Sequence, residues 1–148
     1  VKGEVPDGEY RIPFGQARMV REGGDVTVVA CGRMVNFAEK AADKLAAEGI
    51  GMDLIDLRTT SPMDEDAILD SVEQTGRLVV VDESPPRCSL AADIAALVST
   101  RAFTSLKAPP EMVTGPHAPI PFSRVLERAW LPSPQTIEGA VRRTLAFR

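Results

Sequence analysis

The sequence predicts an α/β domain built on a parallel sheet, and three observations predict it. Three short, apolar-rich segments, Val26–Cys31, Met52–Leu57 and Leu78–Val81, have the composition of strands buried on both faces. Each is followed by a stretch whose apolar residues recur at helical spacing. The strand–helix order occurs three times in succession, which is the pattern of right-handed crossovers onto one parallel sheet. At 148 residues the chain has room for one such domain.

The elements follow in order. The opening is rich in turn formers (Pro6, Asp7, Gly8, Pro13, Gly15), and residues 1–16 read as an interdomain linker ahead of a domain over 17–148. The expectation is that this chain is one piece of something longer. Ala17–Arg21 alternates like a short edge strand and stops at Gly23-Gly24. Val26–Cys31 is the first buried strand. Met34, Phe37, Ala38, Ala41, Ala42 and Leu45 then form the apolar stripe of a helix, with Glu39, Lys40, Asp43 and Lys44 opposite and Gly49 placed to close it. Met52–Leu57 is the second strand, and Ser61-Pro62-Met63-Asp64 predicts a helix start with Ser61 as the cap. Ile68, Leu69 and Val72 give that helix its buried face and Gly76 its stop. Leu78–Val81 is the third strand. Ser89 caps a third helix carrying Leu90, Ile94, Leu97 and Val98. Glu111–Gly115 suits a fourth parallel strand. Pro116, Pro119 and Pro121 then bracket His117 in a stiff loop. A short helix over Ser123–Ala129 precedes Leu131-Pro132-Ser133-Pro134, the cap of a closing helix that buries Ile137, Ala140, Val141, Thr144 and Leu145.

Composition removes several function classes. Seventeen basic against twenty-one acidic residues leave a net charge of −4, the wrong sign for a nucleic-acid binder. The one dense basic pair, Arg142-Arg143, falls in the last helix, where cations suit the helix dipole. No apolar run approaches the roughly twenty residues that cross a bilayer. With two cysteines, Cys31 and Cys88, and one histidine, neither a disulfide framework nor a Cys/His zinc site can be completed. The expectation is a cytoplasmic protein with reduced thiols and with no nucleic-acid or membrane partner.

Ligands of open α/β sheets sit beyond the carboxyl ends of the strands. Here those ends are Cys31-Gly32-Arg33, Asp56-Leu57-Arg58 and Asp82-Glu83-Ser84. The first turn carries one glycine rather than a dinucleotide fingerprint, and there is no phosphate-binding loop. Asp82 and Glu83 are adjacent, so on a strand they face opposite ways and cannot work as a pair; capping the next turn, or an ion pair with Arg58 or Arg87, suits them better. Cys31 or Cys88 with His117 would make a thiol–imidazole dyad only if the fold brought them together. An inert cysteine at the end of an apolar strand and a histidine that fixes its proline loop or meets a partner subunit are the simpler readings. On the residues alone this is an α/β domain without a visible active site.

The segment Asp56-Leu57-Arg58-Thr59-Thr60-Ser61-Pro62-Met63-Asp64 resembles one that recurs in the C-terminal domain of transketolase-like thiamine enzymes. Ile12-Pro13-Phe14-Gly15, Val26–Ala30, Gly32–Val35, Val79–Glu83, Pro119–Phe122 and Leu131–Pro134 together resemble one branch. That branch is the beta subunit of the decarboxylating component of 2-oxoacid and acetoin dehydrogenase complexes. The resemblance implies an open, mixed, mostly parallel five-stranded sheet between helices, with one antiparallel edge strand. It also implies a domain without catalytic, cofactor or metal residues of its own, serving subunit association and docking to the dihydrolipoyl acyltransferase core. Thiamine diphosphate and magnesium would belong to the complete enzyme, held by the N-terminal domain of the same subunit and by the alpha subunit, with a second beta subunit as a further partner. His117 departs from the family, where many relatives carry Asp, as does Cys88-Ser89-Leu90, where relatives have more glycine. Interface or ligand candidates are Arg58, Glu83, His117, Phe122, Trp130 and Leu131, the last three as an exposed apolar patch; Trp130, next to Leu131-Pro132, reads equally as a core residue. The alternatives are a free-standing regulatory or small-ligand-binding domain using the strand ends near Arg58 and Glu83, or the C-terminal domain of a transketolase or deoxyxylulose-phosphate synthase.

Overall fold

Side chains on a strand alternate between faces, so each buried strand of this chain feeds two separate cores. A computed structural model describes residues 7–148. The first six residues of the expected linker lie outside the described residues. Five strands, β1 (Arg18–Arg21), β2 (Val26–Ala30), β3 (Met52–Asp56), β4 (Leu78–Val81) and β5 (Glu111–Val113), form one sheet in the order β1-β3-β2-β4-β5. β1 runs antiparallel to β3, with Arg18 opposite Asp56 and Met19 opposite Ile55; the pairs β2–β3, β2–β4 and β4–β5 are parallel. The three segments expected to be central and parallel are so.

The helices are α1 (Arg33–Ala46), α2 (Glu65–Thr75), α3 (Leu90–Arg101), α4 (Arg124–Trp130) and α5 (Pro134–Ala146). α1 and α5 cover one face, where Met34, Ala38, Leu45, Ile137 and Val141 meet Val28, Leu54 and Val79. α2 and α3 cover the other, where Ile68, Val72, Ile94 and Val98 meet Val29, Ile55 and Val80. Val28 and Val29 are both fully buried, on opposite sides of the same strand. Each such side chain contributes about 1.5–3 kcal/mol of burial. Toward the amino ends of the parallel strands, Thr27, buried in β2, hydrogen-bonds Ser71 (2.7 Å) and Thr75 (2.9 Å) on α2.

The caps follow the sequence with one correction. Ser89 accepts the Ala92 N–H, and Ser133 accepts the Thr136 N–H with Pro134 in the first turn of α5. Gly49 (φ +80°) and Gly76 (φ +73°) take the left-handed conformation just past α1 and α2. The cap of α2, however, is Asp64 rather than Ser61: its carboxylate accepts the Ala67 N–H at 3.2 Å, and Ser61 is exposed. The preceding residues are engaged elsewhere. Thr59 accepts the Gly15 N–H (2.9 Å) and donates to the Pro62 carbonyl (3.0 Å), which ties residues 59–62 to the entering chain.

The basic pair of α5 does more than complement a dipole. Arg142 forms a two-pronged ion pair with Glu48, just past α1, and Arg143 another with Glu111 on β5. These contacts tie the last helix to the far ends of two earlier elements. Among the described residues no helix is long and apolar enough to cross a membrane.

Candidate functional site

The carboxyl edge of the sheet is acidic and held mainly by its own backbone. Asp82 follows β4, and its carboxylate accepts the Ser84 N–H (2.9 Å) and the Ala91 N–H (3.2 Å) in the first turn of α3. Asp82 is thus a turn and helix cap, one of the roles its position suggested. Asp56 likewise accepts the N–H of Arg58 at 3.1 Å. Arg58 is exposed and has φ +55°, a conformation that side chains rarely adopt. Glu83 is half-buried. Among the described residues no ion pair joins Asp82 or Glu83 to Arg58 or Arg87.

Cys31, at the end of β2, is partly buried. Burial first, and then the negative charges of Asp56, Asp82 and Glu83, push its thiol above the ordinary value. A thiol kept protonated is a poor nucleophile. His117 is exposed in the proline loop, and no hydrogen bond joins it to Cys31 or Cys88 among the described residues. The thiol–imidazole dyad has no support in this geometry.

The same edge does not suit a diphosphate with its magnesium. Around Cys31 the nearest charges are the carboxylates of Asp56, Asp82 and Glu83, which would repel the phosphates more than Arg58 at the rim could offset, and Asp82 already spends its oxygens on backbone N–H groups. Among the described residues no three His, Cys, Asp or Glu side chains gather closely enough to hold a metal ion.

A second surface has a different character. Ile120 and Phe122 in the proline loop, and Val125 and Leu126 on α4, are exposed, with the Phe122 ring wholly so. A shallow hollow runs along Ile120 and Phe122, flanked by Arg124 and Glu127. An apolar cluster with a charged rim is the anatomy of a protein–protein contact surface.

Trp130 and Leu131, expected in the same patch, are instead buried within the chain, at 7% and 9% exposure. The Trp130 ring lies directly over Gly115, where an added Cβ would come within 2.4 Å of it. Only a glycine at the end of β5 leaves that space. Of the three patch candidates, Phe122 alone is exposed, and Ile120, Val125 and Leu126 were missed. A seven-residue helix is too short for its periodicity to show which apolar side chains turn inward.

A family model described as "Transketolase, C-terminal domain" matches residues 15–137. The chain belongs to the transketolase C-terminal domain family. Members similar to it include the "Acetoin:2,6-dichlorophenolindophenol oxidoreductase subunit beta" of Cupriavidus necator, 54% identical over 145 residues that make up 98% of this chain and 43% of that protein. The "Pyruvate dehydrogenase E1 component subunit beta" of Bacillus subtilis is 42% identical, over 97% of this chain and 44% of its own length. The solved structure "Split gene transketolase, inactive beta4 tetramer" superposes with a TM-score of 0.81 at 26% identity, covering 98% of this chain and 47% of that one. This transketolase C-terminal domain spans less than half the length of the curated relatives it matches. These relatives are beta subunits of an acetoin:2,6-dichlorophenolindophenol oxidoreductase, a pyruvate dehydrogenase and a 2-oxoisovalerate dehydrogenase. The mixed sheet with one antiparallel pair is the architecture the family resemblance implied.

Proposed function

We propose that this chain is the C-terminal assembly domain of the beta subunit of a thiamine-diphosphate-dependent acetoin or 2-oxoacid dehydrogenase. The observation that carries the reading is the uncovered apolar surface at Ile120, Phe122, Val125 and Leu126, none of which joins either buried core. In this reading the surface meets other subunits: the alpha subunit, a second beta subunit or the dihydrolipoyl acyltransferase core. The N-terminal domain of the same subunit is a further partner. Thiamine diphosphate and magnesium act in the complete enzyme and are held outside this chain. Acetoin is the substrate to test first, because the two acetoin-oxidising relatives are 54% and 52% identical, against 42% and 36% for those named for pyruvate and 2-oxoisovalerate.

The test is a hybrid in which this chain replaces the matching part of the Cupriavidus necator beta subunit. The hybrid is expected to join that enzyme's other subunit and to reduce dichlorophenolindophenol with acetoin. Phe122→Asp with Leu126→Asp is expected to abolish association while leaving the fold, followed by circular dichroism, unchanged. A folded hybrid that never associates would refute the assembly reading. Calorimetry with thiamine diphosphate and magnesium addresses the rival reading: micromolar binding to the isolated chain, lost on Arg58→Ala or Glu83→Gln, would make it a ligand-binding domain.

A further inference from the structure

We propose that residues 9–14 form a docking arm whose apolar face seats on the remainder of the longer subunit. Tyr10, Ile12 and Phe14 alternate with Glu9, Arg11 and Pro13. The three apolar side chains are 61%, 48% and 84% exposed, and among the described residues they join neither apolar core. Glu9 and Arg11 pair with one another at 2.8 Å, the i, i+2 neighbour relation of an extended segment, which leaves Tyr10 and Ile12 to the other side; Phe14, exposed, sits in the turn that closes the arm. Pro13 reinforces extension by restricting Ile12 to the β or polyproline region.

The arm also lacks backbone partners. Among the described residues no backbone hydrogen bond involves residues 9–12, and the chain turns at Phe14-Gly15. The first anchors to the domain are Gly15 N–H to Thr59 (2.9 Å) and Ala17 N–H to Asp64 (2.8 Å). The segment therefore has the two properties of a peptide that docks as an added strand or in an apolar groove: a free backbone edge and an apolar side at two-residue spacing.

The occupant follows from length. The family domain matches from residue 15, directly after the arm, and more than half of each matched relative lies outside the aligned segment. An extended apolar arm leading into a domain that makes up under half of its subunit suits an apolar groove on the other part of that subunit. This inference rests on the assembly-domain reading, and its test separates the two.

The measurement is trypsin cleavage of the Arg11–Ile12 bond, in the isolated chain and in the Cupriavidus necator hybrid. The bond is expected to be cut at least about tenfold more slowly in the hybrid, the factor supplied by burying one large apolar side chain. Tyr10→Ser, Ile12→Ser and Phe14→Ser together are expected to remove that protection, and Glu9→Gln to keep it. In the isolated chain the triple variant is expected to leave the urea midpoint unchanged. Equal cleavage rates in isolated chain and hybrid would overturn the arm while leaving an associating hybrid, and hence the assembly reading, intact. A lowered urea midpoint of the isolated triple variant would also overturn it, by assigning those side chains to this domain's own packing. A hybrid that folds but never associates would overturn the assembly reading, and the arm with it.

Discussion

Asp53 offers the sharpest test of how the sheet is held together. It is buried on β3, and its carboxylate accepts three hydrogen bonds: Gly23 N–H (2.7 Å), Gly24 N–H (3.0 Å) and the Ser71 hydroxyl (2.8 Å). Because Ser71 gives its proton to Asp53, Thr27 donates to Ser71, and Thr75 in turn donates to Thr27. One carboxylate thereby orients a chain of hydroxyls that joins the turn after β1 to β2, β3 and α2. In Asp53→Ala the two glycine N–H groups can turn to water, since both residues are exposed, but the buried Ser71 hydroxyl loses its acceptor. A charged hydrogen bond is worth about 1.5–3 kcal/mol and an unsatisfied buried group costs about 1–3, so the expected loss is about 2–4 kcal/mol. In a domain of this size that lowers Tm by about 5–15 °C.

Asp53→Asn makes a finer test. Its amide would donate to Ser71, and the hydroxyl chain can reverse, because Thr75 also lies 3.2 Å from the Arg77 carbonyl. Every hydroxyl in the chain stays paired while the carboxylate charge is lost, so the expected cost is about 1 kcal/mol. Urea unfolding followed by far-UV circular dichroism measures both variants on the same scale. Asp53→Ala within about 0.5 kcal/mol of the parent, or Asp53→Asn as costly as Asp53→Ala, would refute this account of the network.

Three further expectations follow from packing and charge. Gly115→Ala drives a methyl into the Trp130 ring; it should destabilise by about 1–3 kcal/mol and shift the emission of Trp130, the only tryptophan in the sequence. The Arg142 guanidinium holds the Glu48 carboxyl below its ordinary value. The pair's contribution is therefore present above the ordinary glutamate range and is lost as pH falls through the folded value; an NMR titration should show the low midpoint, and Arg142→Gln should raise it. Cys88, exposed, should react with iodoacetamide well before Cys31 at neutral pH, and Asp56→Asn should speed Cys31 by relieving part of the charge that holds its thiol protonated.

The sheet and its helices were legible in the sequence because the signals are local and repeated. β2, β3 and β4 stand out by apolar density, α1 and α5 by the spacing of Met34–Leu45 and Ile137–Leu145, and the starts of α3 and α5 by Ser89 and Ser133. Each depends only on neighbours a few residues away, which is the range over which propensity, period and capping act. Asp64 replaced Ser61 as the α2 cap because Thr59 and Pro62 answer to Gly15, a residue forty-four positions earlier than Thr59. The candidate surface was less legible for the same reason. Trp130 and Leu126 lie four residues apart on a seven-residue helix, and only the second is exposed. The difference comes from Gly115, which the sheet brings beneath the indole. Composition along the chain determined which segments become strands and helices. The tertiary structure decided which apolar side chains remain uncovered, because burial depends on what the far part of the chain places opposite each one.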